Sequence, residues 1–221
     1  MIHRMKFAVF GATGGTGRAF CAEALTNGHA VVALVRTPDN LVLLSEAADV
    51  RRGDVLDPVA VEAAITGCDA VFCTLGAKPR DPIGLCSEGT RNIVAAMERQ
   101  GVKRLICVTG CMVGHPPELM RGAVYKILRW LEIGFIKRMV ADRRLQEQVV
   151  QRSALNWTVL RPPRLTDEVA TGRYVLGPSI IVGPGATASR GNVAKVALAV
   201  LTSDEFVREG VAIFDDPTAF T

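Results

Sequence analysis

The chain has 221 residues, 49% of them hydrophobic and 22% charged, the balance of a globular protein with a sizeable core rather than a disordered one. Its net charge of +4, from 26 basic and 22 acidic residues interspersed along the chain, argues against a dedicated nucleic-acid binder. Six cysteines without a C-x-x-C pair and three scattered histidines suggest no zinc site, and small buried thiols of this kind fit a reducing, cytoplasmic compartment.

Taken in order, Phe7-Ala8-Val9-Phe10 is an apolar run that reads as a buried strand. It begins so close to the N-terminus that no signal peptide is expected. It runs into Gly11-Ala12-Thr13-Gly14-Gly15-Thr16-Gly17, and an amphipathic helical pattern follows over about residues 18–26. Strand, glycine-rich turn and helix form the opening unit of a dinucleotide-binding fold. Gly11 allows the tight turn, Gly14 lets backbone N–H groups approach a pyrophosphate, and Gly17 permits close helix packing. The helix N-terminus adds partial positive charge for the phosphates.

Residues 30–35 read as a second buried strand ending at Arg36-Thr37-Pro38. In this fold the tip of that strand faces the adenosine ribose, where an acid binds the 2′-hydroxyl and an arginine accommodates a 2′-phosphate. Arg36 stands nineteen residues after Gly17 with no acid before it, so NADP(H) is expected in preference to NAD(H). Arg18 is a second cation for the same phosphate. A third strand falls within 50–57, and Asp57-Pro58 has the N-cap-then-proline form of a helix start. Residues 69–76 form the fourth strand, 87–100 a helix with Ile93, Val94 and Met97 on its core face, and 105–110 the fifth strand. Residues 157–163 make the sixth strand and its exit, 192–201 the last helix, and 211–214 a last short strand.

The spacing G-x-x-G-x-x-G resembles that of the short-chain dehydrogenase/reductase superfamily. The segments GATGGTGR, VALVRTP, GDVLDP, GTRNIVAAMERQGVKRLICVTG and NWTVLRPPRLTDE occur in this order. Together they resemble the NAD(P)H-binding, NmrA-like atypical short-chain reductases, and within them the biliverdin-IXβ/flavin reductase type. The resemblance implies a single α/β domain over 1–221. It has one doubly wound, Rossmann-type, mostly parallel sheet of six or seven strands and a small C-terminal substrate lobe at about 162–190. It also implies adenine contacts at Asp54 and Val55, a nicotinamide side lined by Leu75, Gly76, Thr109 and Pro162, and phosphate and ribose contacts at Gly11, Thr13, Gly14, Gly15, Thr16, Gly17 and Arg36. Thr171-Gly172-Arg173-Tyr174 resembles a T-G-x-Tyr segment of the family's substrate region.

Active short-chain enzymes carry a serine after strand 5 and Tyr-x-x-x-Lys on the next helix, the lysine lowering the tyrosine pKa. Here strand 5 ends in Thr109-Gly110-Cys111, and Tyr125 is followed four residues later by Arg129, with Lys126 adjacent. Arginine cannot exchange protons usefully at neutral pH. Tyr125 is therefore either an acid of altered type or part of a helix's apolar face. The flavin/biliverdin type relies instead on holding a flat acceptor over the nicotinamide. Counting back from Pro162-Pro163, Glu147 falls at that family's pocket wall, with Gln146 and Gln148 as polar neighbours. Thr109 and Cys111 could hydrogen-bond a substrate carbonyl or the nicotinamide amide, and no histidine partner makes Cys111 a nucleophile.

The variable stretch 111–140 departs from the compact reductase pattern. Residues 119–140 form a basic amphipathic pattern around Trp130, with six charged residues in twenty-two, too many for a spanning helix. It can pack on its own domain, serve as a lid or dimer face, or lie on a membrane surface. The leading expectation is an NADPH-dependent oxidoreductase, monomer or homodimer, that passes hydride to a planar small-molecule acceptor such as a flavin or quinone. The alternatives are a non-catalytic NADP-binding sensor and a membrane-surface or assembly factor using the 119–140 segment.

Overall fold

The computed structural model describes residues 4–37, 48–113, 134–178, 180, 182–183 and 185–216. Ten strands and five helices are formed by the described residues. The strands are β1 (Lys6–Phe10), β2 (Ala30–Val35), β3 (Asp49–Arg52), β4 (Ala70–Cys73) and β5 (Arg104–Val108), followed by β6 (Asn156–Arg161), β7 (Arg164–Thr166), β8 (Tyr174–Gly177), β9 (Thr187–Ser189) and β10 (Glu209–Asp215). The helices are α1 (Gly15–Thr26), α2 (Pro58–Ile65), α3 (Leu85–Gln100), α4 (Gly134–Arg152) and α5 (Arg190–Leu201).

Eight strands make one sheet in the order β3-β2-β1-β4-β5-β6-β10-β8, parallel except for β8, which runs antiparallel to β10. The chain winds outward from β1 to β2 and β3, then returns to β4, beside β1 on its other side, and winds the opposite way. The switch point therefore lies between β1 and β4, and ligands of such sheets bind at the strands' carboxyl ends there.

The central strands are apolar on both faces, as parallel strands covered by helices must be. In β1, Phe7 and Val9 join the core under α1 and α5, while Ala8 and Phe10 join the core under α2, α3 and α4. Phe20 of α1 stacks on Phe72 of β4 with ring centroids 4.1 Å apart, and Phe7 meets Phe20 edge-on at 5.8 Å. Asp57 caps α2 by accepting from Val59 N at 2.9 Å, as its Asp-Pro start predicts.

A cation is built into this core. Arg104 of β5 is buried, and its guanidinium donates to Asn156 O, Thr158 Oγ1, Val200 O and Glu205 O. Four oxygens from β6, the end of α5 and the turn after it thus replace the water that burial removes. The turn holds Phe206 and Arg208 in left-handed backbone at φ 55° and 62°. Its Phe206 O accepts from Thr158 Oγ1 at 2.8 Å, and Arg208 N donates to Trp157 O at 2.6 Å.

One expectation shifts. The sheet has eight strands because Tyr174–Gly177, read as part of a separate lobe, pairs with β10 as an antiparallel edge. Only the two-stranded ladder β7–β9 stands apart from the main sheet among the described residues. The amphipathic stretch at 119–140 lies outside the described residues up to 133, and its last part belongs to α4, which begins at Gly134. Among the described residues no helix is long and apolar enough to cross a membrane.

Candidate functional site

The glycine-rich turn is shaped by backbone contact. Gly11 sits at φ +91°, and a Cβ there would come within 2.4 Å of Thr74 O at the exit of β4. Gly14 N donates to Gly11 O at 3.0 Å. A Cβ on Gly17 would stand 2.2 Å from Gly11 O and 2.8 Å from Ala12 Cα. Gly17 thus lets α1 pack closely against the turn itself. Gly14 is the N-cap of α1 and supplies no side chain, and no side chain among the described residues caps the helix. Its first-turn N–H groups are therefore left for an anion. Thr16 is buried, which leaves its backbone N–H rather than its hydroxyl to face an anion.

This turn forms one wall of a cleft at the switch point. Gly11, Thr13 and Gly14 face Leu34, Val35 and Arg36 from β2, Gly53, Asp54 and Val55 after β3, and Thr74, Leu75, Gly76 and Lys78 after β4. The fold thus collects most of the expected cofactor residues in one place. Asp54 accepts from Leu56 N at 2.9 Å, which fixes the turn after β3. Val55 is buried against the bare backbone of Gly89, and its carbonyl accepts from Asn92 Nδ2 at 3.0 Å. Beside Thr13 the cleft opens into a polar depression lined by Arg18, Arg36, Thr37 and Lys78. Arg18 Nη1 donates to Thr13 O at 2.8 Å, and Arg36 Nη1 pairs with Asp81 Oδ1 at 2.8 Å. Three cations ring a hollow that a dianion would fit.

The other end lies at the tips of β4, β5 and β6. Thr109 N donates to Leu160 O at 3.0 Å and Cys111 N to Pro162 O at 2.9 Å. The ladder therefore continues past both strands and brings Thr109, Cys111 and Pro162 side by side. Glu147 of α4 is 4% exposed. Its Oε1 accepts from Thr109 Oγ1 at 2.6 Å and Arg161 Nε at 3.1 Å, and its Oε2 from Arg161 Nη2 at 2.6 Å. The resemblance put Glu147 at a pocket wall, and the structure buries it in a bidentate pair. Its proposed polar neighbours separate: Gln146 is fully buried and donates to Thr90 Oγ1 at 3.0 Å, whereas Gln148 is exposed. With its hydrogen committed to Glu147, Thr109 is left as an acceptor. Burial raises the Cys111 thiol above its ordinary value, which keeps it protonated at neutral pH. Tyr125 lies outside the described residues.

Three residues were not singled out from the sequence. Arg143 of α4 donates from Nη1 to Val108 O at 2.9 Å and to Gln146 Oε1 at 3.1 Å, with Nη2 beside Gly76. It places a permanent cation at the tips of β4 and β5, one helical turn before Glu147. Four residues earlier stands Met139, and α4 carries no tyrosine. Counting back one more turn from Glu147 would have reached Arg143. Lys78 follows β4 directly and lines both parts of the cleft. Arg190, first residue of α5, lays its side chain over Gly15 and pairs with Asp167 at 2.8 Å. Asp142, buried on α4, accepts from Cys86 N at 2.9 Å and Ser87 N at 3.0 Å, so it caps α3 and fixes α4 against it.

This arrangement defines a nucleotide-binding α/β protein. The chain belongs to the NAD(P)H-binding family, whose model it matches over residues 11–204. It is 29% identical over 210 residues to an uncharacterized chloroplastic protein of Arabidopsis thaliana, covering 90% of this chain and 73% of that one. Other curated relatives are longer, and the chain spans as little as 14% of them. Among solved structures it is similar to ChuY of Escherichia coli O157:H7, described as an anaerobilin reductase, with TM-score 0.78 and 23% identity over 96% of this chain and 98% of that one. A wide-type short-chain dehydrogenase/reductase of Veillonella parvula in complex with NADP has TM-score 0.78 and 21% identity, covering 98% and 97% of the two chains.

Proposed function

We propose that the protein is an NADPH-dependent oxidoreductase that passes hydride to a planar small-molecule acceptor such as a flavin or quinone. The observation that carries this reading is the cleft, in which an uncapped helix N-terminus adjoins a depression ringed by Arg18, Arg36 and Lys78. The residues fit the group: two glycines whose Cβ would strike backbone make the cradle, and the cations match a diphosphate and a 2′-phosphate. NADPH would supply the hydride.

The chain's own residues bind, orient and exclude water. Arg36 and Arg18 hold the phosphorylated ribose, while Asp54 and Val55 border the adenine. At the other end, Arg143 offers a fixed positive charge that orients but does not exchange a proton. Thr109 accepts a hydrogen bond, as from a carboxamide N–H, because Glu147 and Arg161 hold its own hydrogen away from the pocket. Among the described residues Thr109, Glu147 and Arg161 hold no free acid, and in this reading the acceptor's proton comes from solvent. Rate enhancement rests on placement.

A second reading, a nucleotide-binding sensor without turnover, is supported by α4, which carries no tyrosine. The Photosystem II assembly factor Ycf39 of Synechocystis is 25% identical over 161 residues, covering 71% of this chain and 44% of that protein. NADPH oxidation against flavins, quinones and biliverdin, beside titrations with both nucleotides, tests the two. Turnover on any acceptor supports the reductase, and tight NADPH binding with no turnover refutes it in favour of the sensor.

A further inference from the structure

We propose that Asp81 sets how strongly this site distinguishes a 2′-phosphorylated dinucleotide from an unphosphorylated one, by placing a carboxylate on the guanidinium that would receive the phosphate. The inference rests on the reading that Arg36 meets the 2′-phosphate.

Arg36 and Asp81 are 45 residues apart in sequence and come from the exits of different strands, β2 and β4. Asp81 Oδ1 lies 2.8 Å from Arg36 Nη1, while its Oδ2 accepts from Lys78 N at 2.7 Å. Asp81 N in turn donates to Lys78 O at 3.0 Å. The carboxylate therefore closes a tight turn that presents Lys78 to the cleft and reaches across to the arginine. Its side chain is 10% exposed, against 53% for Arg36. The buried partner is the fixed one, and the arginine comes to it. The Lys78 N–H and then the Arg36 guanidinium hold the Asp81 carboxyl below the usual range, so the group is an anion at neutral pH.

The cationic hollow thus contains its own negative charge. A phosphate arriving at Arg36 meets a guanidinium already half neutralised and a like charge within a few ångströms. A ribose with a free 2′-hydroxyl meets neither obstacle, because a hydroxyl can donate to the same carboxylate. Asp81 lowers affinity for NADPH and leaves NADH untouched or slightly favoured. The size of the nucleotide preference is then fixed by a residue on the β4 loop.

Asp81→Asn tests this, since the amide oxygen still accepts from Lys78 N while the negative charge, and with it the acceptor facing Arg36, is lost. NADPH should bind about fivefold tighter, the scale of one unit charge at contact distance near water. NADH should change by less than twofold, and the NADPH gain should shrink in high salt. Asp81→Ser, which keeps an acceptor in the turn and also removes the charge, should move the ratio the same way. Weaker NADPH binding in both variants would show that Asp81 orients Arg36 for the phosphate and would overturn the proposal, as would equal changes for both nucleotides. Arg36→Ala separates the layers. If it leaves NADPH unaffected, the reading of Arg36 itself fails. If it weakens NADPH while Asp81→Asn does not strengthen it, only the role of Asp81 fails.

Discussion

Replacing Gly17 by alanine reverses an ordinary rule. Inside a helix, glycine to alanine stabilises by about 1 kcal/mol, because alanine loses less backbone entropy. At Gly17 the added Cβ would lie 2.2 Å from Gly11 O and 2.8 Å from both Gly11 C and Ala12 Cα. All three are main-chain atoms of the tight turn, so no rotamer change relieves the contact and α1 must move off the turn by most of an ångström. Overpacking of this kind costs about 1–3 kcal/mol, and a rigid backbone neighbour puts it at the upper end. The net loss is about 2 kcal/mol, which for a chain of this size lowers Tm by about 4–8 °C. The same displacement carries the first-turn N–H groups away from a bound phosphate. Losing one charge-assisted bond there is worth about 1.5–3 kcal/mol, or tenfold and more in Kd. Gly15→Ala is the control: the atoms nearest its Cβ are the Cδ, Nε and Cζ of the Arg190 side chain, which can swing aside, so Tm should stay level or rise. Thermal unfolding by circular dichroism and calorimetric titration with NADPH read both quantities. A Gly17→Ala protein as stable as wild type with unchanged Kd would refute the account of the turn.

Arg36→Ala should weaken NADPH by about 1–3 kcal/mol and leave NADH little changed in parallel titrations, and equal losses would sink the 2′-phosphate assignment. Glu147→Gln, which uncouples Arg161 and Thr109, should reduce turnover without altering NADPH affinity. An unaltered steady-state rate would remove Glu147 from the site. Asp142→Ala leaves the N–H groups of Cys86 and Ser87 unpaired in the interior and should cost about 2 kcal/mol in urea unfolding, with Asp142→Asn losing less. Burial pushes the thiols of Cys21 and Cys86 up to about 12 and Cys68 up to about 11, and Cys73 and Cys107 are buried as well. Native protein should thus expose only the half-buried Cys111 to a thiol reagent, and six thiols should react in denaturant. Because Cys111 is also raised, its labelling rate should keep climbing as pH passes the ordinary thiol value. A plateau there would contradict its environment.

The front half of the molecule was legible because its signals are local. An apolar run, a glycine turn and a helix fix β1 and α1 to within about three residues, and Asp57-Pro58 fixes the start of α2. Arg36 followed from its spacing along the same unit, and the Gly53–Val55 turn from the resemblance alone. The reading weakened at α4 for a physical reason. Its inward face carries Asp142, Gln146 and Glu147 beside Val150, while Leu145 is 52% exposed. A pattern in which polar residues face the core and a leucine faces water defeats a rule based on apolar periodicity. The buried polar groups are satisfied by Thr90, Thr109, Arg161 and the start of α3, partners 14–56 residues away. Lys78, Arg143 and Arg190 escaped notice because a charged residue's role depends on where packing points it. The edge strand β8 was missed as a sheet member because its partner β10 lies far along the chain.

Arg104 gives the molecule an order of completion. It is made in the fifth strand, yet two of its acceptors, Val200 O and Glu205 O, lie 96 and 101 residues downstream. A nascent chain emerging from the ribosome can pair its first five strands long before it can neutralise that guanidinium. Until α5 and the Phe206–Arg208 turn arrive, the partly built sheet must keep one edge wet. The two left-handed residues of the turn cost about 1–2 kcal/mol each, and that bend is what aims the late carbonyls inward. The tail therefore works as a clasp, and a chain cut within it should be recognised by proteases as unfinished even though every strand of the nucleotide cleft is present.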